Sequence, residues 1–324
     1  MRGRCAGLLA VAVALAASVA CLGPPLEPLR IGMNVWPTYE LLYLAREKGV
    51  FADEGLEVEL VDFSSYTGVL RAYHEGNIDG FLATLNEVQV KENFQDPPAV
   101  VLVADYSFGG DALVARDGIA SLADLRGRRI AYEESALGSY VLERALEAAG
   151  LRNDEVMPIN RLSDEGEADF RRRKVDAVIT YEPGVGKLMR EGGARVLFTS
   201  RDIPGEIVDV LALRRSVIDQ RTDESRRLLR SWFRARDLLR DNPADAAMLM
   251  ARRERLEVGD FLEALNGTHI PDLRENLELL GTKEQPGPLH ETADRLGRFL
   301  VRRGLARRAA SGSELFSPGL LESL

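Results

Sequence analysis

The chain has 324 residues, of which 45% are hydrophobic and 29% charged, and its formal net charge is −9. This composition is ordinary for a folded protein, and the length leaves room for two compact lobes. The acidic balance, together with the lack of a sustained basic stripe with interleaved aromatic residues, argues against a nucleic-acid partner.

The first twenty residues have the composition of a secretory signal peptide. Arg2 and Arg4 form a short basic segment, and residues 6–20 carry no charge and end in small residues. This apolar run is shorter than the ~20 residues that a transmembrane helix needs, and no later segment reaches that length. We therefore predict a signal peptide over 1–20.

Residues 18–21 (SVAC) resemble a bacterial lipobox, although a serine stands first where leucine is usual. This resemblance implies acylation of Cys21, a tether over 21–28, and a membrane-anchored lipoprotein in the periplasm or on the outer face of the cell envelope. The alternative is a plain secretory signal cut near Ala20, which gives a soluble periplasmic protein. Cleavage removes Cys5 in both cases, so we expect no intramolecular disulfide and no cysteine metal cluster.

From residue 29 onward the pattern alternates between strands and helices. Short apolar or alternating segments between turn residues predict strands at 29–35, 56–63, 78–84, 99–106, 112–115, 129–132, 155–159, 177–180, 195–198 and 207–213. Helical spacing between them predicts helices at 39–48, 68–75, 86–93, 138–149, 165–172 and 184–191. This alternation predicts the α/β class.

The last third of the chain is almost wholly helical. Helices are predicted at 223–240, 243–253, 258–265, 273–280 and 289–303, and we expect them to pack on the first lobe. The final segment, 309–324, mixes Ser, Gly, Pro and Leu without a clear period, which predicts a tail that runs over the surface.

Several short segments carry a resemblance to a known family. They are 31–37 (IGMNVWP), 44–51 (LAREKGVF) with 55–58 (GLEV), 76–80 (GNIDG), 105–112 (DYSFGGDA), 122–131 (LADLRGRRIA) and 175–183 (VDAVITYEP). In this order and spacing they resemble the periplasmic solute-binding proteins of the nitrate/sulfonate/taurine (thiamine-pyrimidine-precursor-like) class of ABC importers. The resemblance extends from about residue 29 to residue 213.

The resemblance implies a two-lobed periplasmic-binding-protein fold of type II, in which each lobe is a mixed sheet flanked by helices, with a helical C-terminal region. Lobe 1 is expected at 29–113 and 210–308, lobe 2 at 114–209, and a tail at 309–324. Crossing segments near 113–116 and 210–214 would act as a hinge around a ligand cleft. The implied partners are a small-molecule ligand and an ABC permease with its ATPase, which reads the closed state.

Ligands of open α/β sheets bind where strands end and helices begin, because free N–H groups and positive dipole ends lie there. The turn after the first strand offers Asn34, Trp36, Tyr39 and Glu40 as candidate ligand-binding residues. An amide, two aromatic faces and a carboxylate suit a small planar or amine-bearing molecule. The alternative is that the aromatic pair packs the helix start and that the glutamate is an ordinary first-turn acid.

Two further strand ends of the first lobe add candidates to the same wall of the cleft. Thr84, Asn86 and Glu87 follow one strand, and Tyr106 and Ser107 end the next. The alternative for the threonine is that it only caps its helix.

The second lobe contributes its own strand-to-helix turns. Ser135, Gly138 and Ser139 place hydroxyls and free N–H groups where an anion or a carbonyl could dock, although a serine before a helix is most often only an N-cap. Tyr181 and Glu182 end a later strand of this lobe. Asp209, in the returning segment, adds a second carboxylate, and a buried carboxylate needs a partner.

The candidate turns carry Glu40, Glu87, Glu182 and Asp209 but no lysine or arginine. This balance favours a neutral or cationic nitrogen compound over a sulfonate or nitrate, and the aromatic rings agree with it. The alternative is that some of these acids point to solvent.

Two other functions compete with transport. The same fold is used by an enzyme family that makes the thiamine pyrimidine from its own histidine, but His74, His269 and His290 fall on predicted helices or their flanks. With no metal-ligand spacing, phosphate loop or nucleophile elbow, we expect no enzyme, no cofactor and no metal. A ligand sensor that presents its closed form to a membrane receptor has the same sequence features.

Overall fold

The computed structural model of the protein describes residues 27–90, 94–282 and 284–324. The predicted signal peptide, the acylation site at Cys21 and most of the tether lie outside the described residues. Among the helices that the structure describes, none combines the length and the apolar character needed to cross a membrane.

The described residues form two mixed sheets, and every predicted strand is present with its ends shifted by no more than two residues. The strands are β1 Leu29–Asn34, β2 Val58–Phe63, β3 Gly80–Thr84, β4 Pro98–Ser107, β5 Asp111–Arg116, β6 Arg129–Tyr132, β7 Met157–Asn160, β8 Ala177–Tyr181, β9 Ala194–Thr199, β10 Val208–Arg214 and β11 Thr268–His269.

Helices flank both sheets and fill the last third of the chain. They are α1 Glu40–Glu47, α2 Val50–Asp53, α3 Tyr66–His74, α4 Leu85–Val88, α5 Ala136–Ala149, α6 Ser163–Arg171, α7 Gly184–Glu191, α8 Arg215–Gln220, α9 Thr222–Asp241, α10 Pro243–Glu254, α11 Val258–Leu265, α12 Leu273–Leu280, α13 Leu289–Arg302 and α14 Gly312–Leu315. One prediction was too long, because the helix expected over 86–93 ends at Val88.

The first sheet has the strand order β11-β4-β10-β3-β1-β2, and the second has the order β7-β6-β8-β5-β9. In the first sheet β1 runs parallel to β2 and β3, whereas β10 runs antiparallel to β3 and β4. In the second sheet β6 runs parallel to β7 and β8, and β5 runs antiparallel to β8 and β9. The predicted two-lobed fold, with a mixed sheet in each lobe, is therefore confirmed.

The chain crosses between the lobes slightly earlier than expected. It leaves the first sheet after Ser107, enters the second at Asp111, leaves it at Thr199 and returns at Val208. The predicted hinge segments, 113–116 and 210–214, instead lie inside β5 and β10. The reason is that both segments are continuous apolar runs, and such runs are buried in the sheets rather than spanning the gap.

The C-terminal helices cover the first lobe, as predicted. Trp232 of α9 is fully buried, and Arg230 of the same helix donates from Nε to Glu54 Oε2 over 2.9 Å. The final segment does not run over the surface as predicted. Leu315 and Leu321 are buried, and the Ser317 N–H donates to the Val100 carbonyl over 2.8 Å. The tail docks because its scattered leucines cover one side of β4, which the lack of a period in the sequence concealed.

Candidate functional site

Three buried polar side chains lie in one row across neighbouring strands of the first sheet. Asp209 of β10 is the register partner of Thr84 on β3 and of Asp105 on β4. Partners directly opposite each other point to the same face, with Cβ atoms about 4.5–5.5 Å apart. We call this set the aspartate row; each of its members is no more than 1% exposed.

The turn after β1 is bonded to the aspartate row. Trp36 donates from Nε1 to Asp105 Oδ2 over 3.0 Å, and the Thr38 hydroxyl donates to the same oxygen. The Tyr39 hydroxyl donates to Asp209 Oδ1. Both predicted aromatic residues are therefore at the site, with their polar atoms committed to buried carboxylates.

Burial raises the pKa of three carboxyl groups at this end of the sheets, those of Asp105, Asp111 and Asp209. It raises the pKa of Asp105 to about 7, against hydrogen bonds from Thr38 and Trp36 that favour the charged form. Burial also raises the pKa of Asp111 to about 7 and that of Asp209 well above its ordinary value, and the acids repel one another. Within the described part of the chain, no basic side chain is hydrogen-bonded to any of the three.

Several polar atoms at this end of the sheets are buried without a hydrogen-bond partner in the described structure. They are Asn34 Oδ1, Thr84 Oγ1, Asn86 Oδ1 and Nδ2, Asp105 Oδ1 and Asp111 Oδ2. Thr84 makes no side-chain cap on α4, so the capping alternative for it is wrong. Buried polar groups are normally hydrogen-bonded, and most of these atoms are acceptors. The arrangement therefore calls for a group that brings donors.

A small pocket, which we call the central cavity, lies where Tyr66 of the first lobe meets the second lobe and has a free volume of about 20 Å³. It is lined by Tyr66, Asp111, Glu133, Ser135, Leu137, Gly138, Val141, Ser163, Ile179, Thr180 and Tyr181. The lining combines two carboxylates, two phenol rings and several hydroxyls, and it includes no basic side chain among the described residues.

The lobes are closed on each other around this cavity. Asn34 Nδ2 donates to the Tyr181 hydroxyl over 3.1 Å, and the Thr67 N–H and hydroxyl donate to Glu133 Oε1 over 3.0 Å and 2.7 Å. The Leu137 N–H donates to Glu87 Oε1 over 2.9 Å. Each of these bonds joins a residue of the first lobe to one of the second.

Three aromatic rings meet beside the cavity. Tyr181 makes an edge contact with Trp36 at a centroid distance of 6.2 Å and a tilted contact with Tyr66 at 5.8 Å. Ring faces attract cations electrostatically, and the nearby carboxylates reinforce that preference.

The structure brings most of the predicted residues to this region. Those that line the cavity, belong to the aspartate row or bond to either are Asn34, Trp36, Tyr39, Thr84, Glu87, Ser107, Ser135, Gly138, Tyr181 and Asp209. Asn86 follows Thr84 on α4 and is fully buried with both amide atoms unpartnered. Ser135 also accepts from the Gly138 N–H over 3.1 Å, so its capping role is confirmed.

Four predicted residues do not join them. Glu40 accepts two hydrogen bonds from Arg253 Nε, over 2.7 Å and 3.0 Å, so its carboxylate is occupied within the first lobe. Tyr106 follows Asp105 on β4 and therefore points to the opposite face. Glu182 accepts from the Gly186 N–H at the start of α7, and Ser139 is buried on α5 outside the cavity lining.

The sequence interpretation missed Asp105, Asp111, Glu133 and Tyr66. Asp105 follows an apolar run of six buried residues, 99–104, and Asp111 precedes the next apolar run. An acid placed at such a boundary was a usable signal, because it must be either exposed or matched by a donor. No local pattern distinguishes Glu133 from the exposed acid that follows it.

Two α/β lobes that close on a buried polar cavity define the fold of the periplasmic solute-binding proteins. The chain belongs to the NMT1/THI5-like family, whose model matches residues 36–246. Among curated relatives, a protein of Brucella abortus (strain 2308) named "Putative binding protein" is 22% identical over 253 residues, which cover 75% of this chain and 77% of that protein.

Solved structures share the whole fold at low identity. The ligand-binding component of an ABC-type import system from Staphylococcus aureus, solved with zinc bound, has a TM-score of 0.76 and 13% identity, covering 92% of this chain and 98% of its own. The periplasmic aliphatic sulphonate-binding protein SsuA from Escherichia coli has a TM-score of 0.74 and 19% identity, covering 91% and 93%. The desulfurization enzyme DSZB matches at 0.65 and 18%, covering 91% and 98%. The fold thus serves both binding proteins and an enzyme.

Proposed function

We propose that the protein is an extracytoplasmic solute-binding protein that captures a small polar, nitrogen-containing molecule between its lobes and delivers it to an ABC permease and its ATPase. The central cavity carries the proposal. Asp111 and Glu133 line it, Asp111 Oδ2 has no partner, and the lining has no basic side chain among the described residues. Such a site accepts hydrogen bonds and positive charge.

The chemistry of the ligand follows from the groups that surround it. An amine, amidine, guanidine or aminopyrimidine supplies N–H donors to the unpartnered acceptors, which relieves the cost of burying them. The rings of Trp36, Tyr66 and Tyr181 supply flat apolar walls and favour a cation. The aspartate row adds carboxylates behind Trp36.

Ligand entry requires the lobes to separate. A free volume of about 20 Å³ holds one water molecule, so a molecule of several heavy atoms needs a wider cleft. The interlobe bonds from Asn34, Thr67 and Leu137 must break and reform around it. Closure over a ligand is therefore a two-state movement that a permease can read.

The rival ligand classes and roles are less well supported. SsuA is named for aliphatic sulphonates, but a sulfonate in this cavity would face Asp111 and Glu133 without a cation to balance it. DSZB shows that the fold can host catalysis, yet His74, His269 and His290 do not line the cavity here. A sensing role would use the same cleft and the same closure.

The place of the protein in the cell is part of the proposal. We infer an export signal over 1–20 and an acylated Cys21 that holds the protein at the outer face of a membrane in the cell envelope. Uptake of a labelled ligand separates import from sensing: deletion of the gene should abolish uptake if the protein feeds a permease, and should leave uptake intact if it informs a receptor.

The ligand class can be tested with the chain from residue 22 onward. Its melting temperature is measured with amines, guanidino compounds, pyrimidines, amino acids, sulfonates and nitrate, since a ligand that binds only the folded state raises that temperature. We expect nitrogenous cations or neutral N–H donors to stabilise the protein. Asp111→Asn should abolish the shift, whereas Asp117→Asn, an exposed change just beyond the other end of β5, should retain it. A response to sulfonates or nitrate alone would overturn the ligand class.

A further inference from the structure

Two helices begin at the cleft, and each receives a carboxylate from the opposite lobe. At the start of α3 in the first lobe, Glu133 accepts from the Thr67 N–H and hydroxyl. At the start of α5 in the second lobe, Glu87 accepts from the Leu137 N–H over 2.9 Å. Each lobe thus provides one carboxyl group that accepts hydrogen bonds from a helix start of the other lobe.

Glu87 places a buried carboxyl group at the start of α5. Its side chain is buried, with 1% of the residue exposed. Burial and the nearby Glu133 raise the pKa of its carboxyl group to about 7, whereas the Leu137 N–H, the Ser135 hydroxyl and the Ala136 N–H favour the charged form. The first N–H groups of a 14-residue helix are a place where anions bind in proteins, because these donors lack partners within the helix.

The same helix start lines the central cavity. Ser135, Leu137 and Gly138 belong to its lining, together with Asp111, which is 4% exposed and has an unpartnered Oδ2. An anionic ligand that entered the cavity would find the helix N–H groups already occupied by Glu87. It would also lie beside Asp111 and Glu133, and like charges brought together repel each other.

We propose that Glu87 determines the charge specificity of this protein: its buried carboxyl group fills the start of α5 and thereby excludes sulfonates and other anions from the interlobe cavity. This inference rests on the proposed interlobe ligand site. It also names the ligand class more closely, as one without negative charge at the end that faces α5. Glu133 has the corresponding position at the start of α3: it belongs to the second lobe and accepts from the N–H and hydroxyl of Thr67 in the first lobe.

The decisive experiment asks whether removing Glu87 creates an anion site. Binding of methanesulfonate is followed by tryptophan fluorescence and by melting temperature in wild type, Glu87→Ala and Glu87→Gln. Glu257→Ala, which removes an exposed acid at the start of α11, is the matched control. We expect no saturable binding in wild type or the control, and a gain of roughly tenfold or more in affinity in Glu87→Ala, since a free helix start stabilises an anion.

Glu87→Gln keeps the shape of the side chain, so it guards against loss of folding in the alanine variant. It should gain a smaller affinity for methanesulfonate than the alanine variant, because its amide oxygen still accepts a hydrogen bond from the start of α5 and must be displaced. Circular dichroism establishes that each variant is folded. If neither variant folds, Glu87 is a structural residue and the proposal is overturned.

The remaining outcomes separate this proposal from the proposed function. Folded Glu87 variants that bind no methanesulfonate, in a protein whose wild type binds an amine, would overturn the role of Glu87 and leave the proposed function intact. Saturable binding of methanesulfonate by wild type would overturn both. A gain in the variants without any ligand for wild type would support Glu87 and count against the nitrogenous ligand.

Discussion

The indole of Trp36 donates a hydrogen bond from Nε1 to Asp105 Oδ2 over 3.0 Å, and both residues are buried. The bond joins the turn after β1 to the end of β4, two strands that are not neighbours in the sheet. It therefore fixes the ring that contacts Tyr181 of the second lobe to a carboxylate whose other oxygen has no partner in the described structure.

Trp36→Phe should lower the free energy of unfolding by about 1–3 kcal/mol more than Trp232→Phe does, because only Trp36→Phe removes a hydrogen-bond donor from a buried carboxylate. Trp232→Phe is the matched control, since Trp232 is equally buried and its Nε1 has no partner. Urea unfolding of both variants measures the difference. Equal losses would show that the Trp36 hydrogen bond contributes nothing to stability.

The stability of the ligand-free protein should fall as the pH rises through neutrality. Burial raises the pKa of Asp111 to about 7, whereas an unfolded aspartate titrates near ~3.9. Between these values the folded protein holds a proton that the unfolded chain has lost, so folding is favoured at low pH and weakens as the pH rises. Melting temperatures at about pH 5 and about pH 8 should show a smaller decrease in Asp111→Asn than in wild type. An equal decrease would mean that Asp111 titrates normally.

Binding of a cationic ligand should show the opposite trend. A cation favours the ionised form of Asp111. Below the carboxyl group's pKa of about 7, ligand binding must therefore displace a proton from Asp111, and above that pH no proton has to leave. The affinity for an amine should therefore rise with pH up to about 7 and then level off, provided that the amine itself stays protonated. Isothermal titration calorimetry in buffers of different ionisation enthalpy reports the proton release directly. Absence of that release would place the charge elsewhere.

The pair formed by Glu40 and Arg253 should matter for stability and not for binding. Arg253 Nε donates to both oxygens of Glu40, which is 2% exposed, and its terminal nitrogens donate to Asp62. Arg253→Met leaves the buried glutamate without its cation and should cost about 3 kcal/mol of unfolding free energy. Ligand affinity should change less than about twofold, because the pair shares no partner with the cavity. A larger loss of affinity would show that Glu40 contributes to ligand binding.

Gly138 should not tolerate a side chain. A Cβ at this position would lie 2.1 Å from the backbone carbonyl oxygen of Glu133, which cannot move without shifting β6 and the start of α5. Gly184 provides the control, because its Cβ would meet side-chain atoms and no backbone: Glu167 Oε1 at 2.0 Å and Thr180 Oγ1 at 2.9 Å. Gly138→Ala should cost about 3 kcal/mol or more and abolish ligand binding, and Gly184→Ala should cost far less. Thermal unfolding and the ligand-induced shift test both expectations.

The amino-acid pattern was sufficient to predict the elements and most of the architecture. Apolar runs between turn residues located the strands, and 3.6-residue spacing located the helices from α9 to α13 almost to the residue. Both signals are local, since side-chain burial on one face is written in neighbouring residues. The turns after β1 and β3 were candidates for the same reason, because the ends of parallel strands meet at one edge of a sheet.

The partners of each polar group were decided by tertiary structure alone. Glu40 and Glu87 look alike in sequence, since each lies in the first turn of a helix after a strand. Arg253, more than two hundred residues from Glu40, pairs with Glu40, and the start of α5 in the other lobe donates a hydrogen bond to Glu87. Asp105 became part of the site through its register with Asp209 and through the hydrogen bonds that it accepts from Trp36 and Thr38. Register and lobe closure join residues far apart in the chain, and no local pattern encodes such contacts.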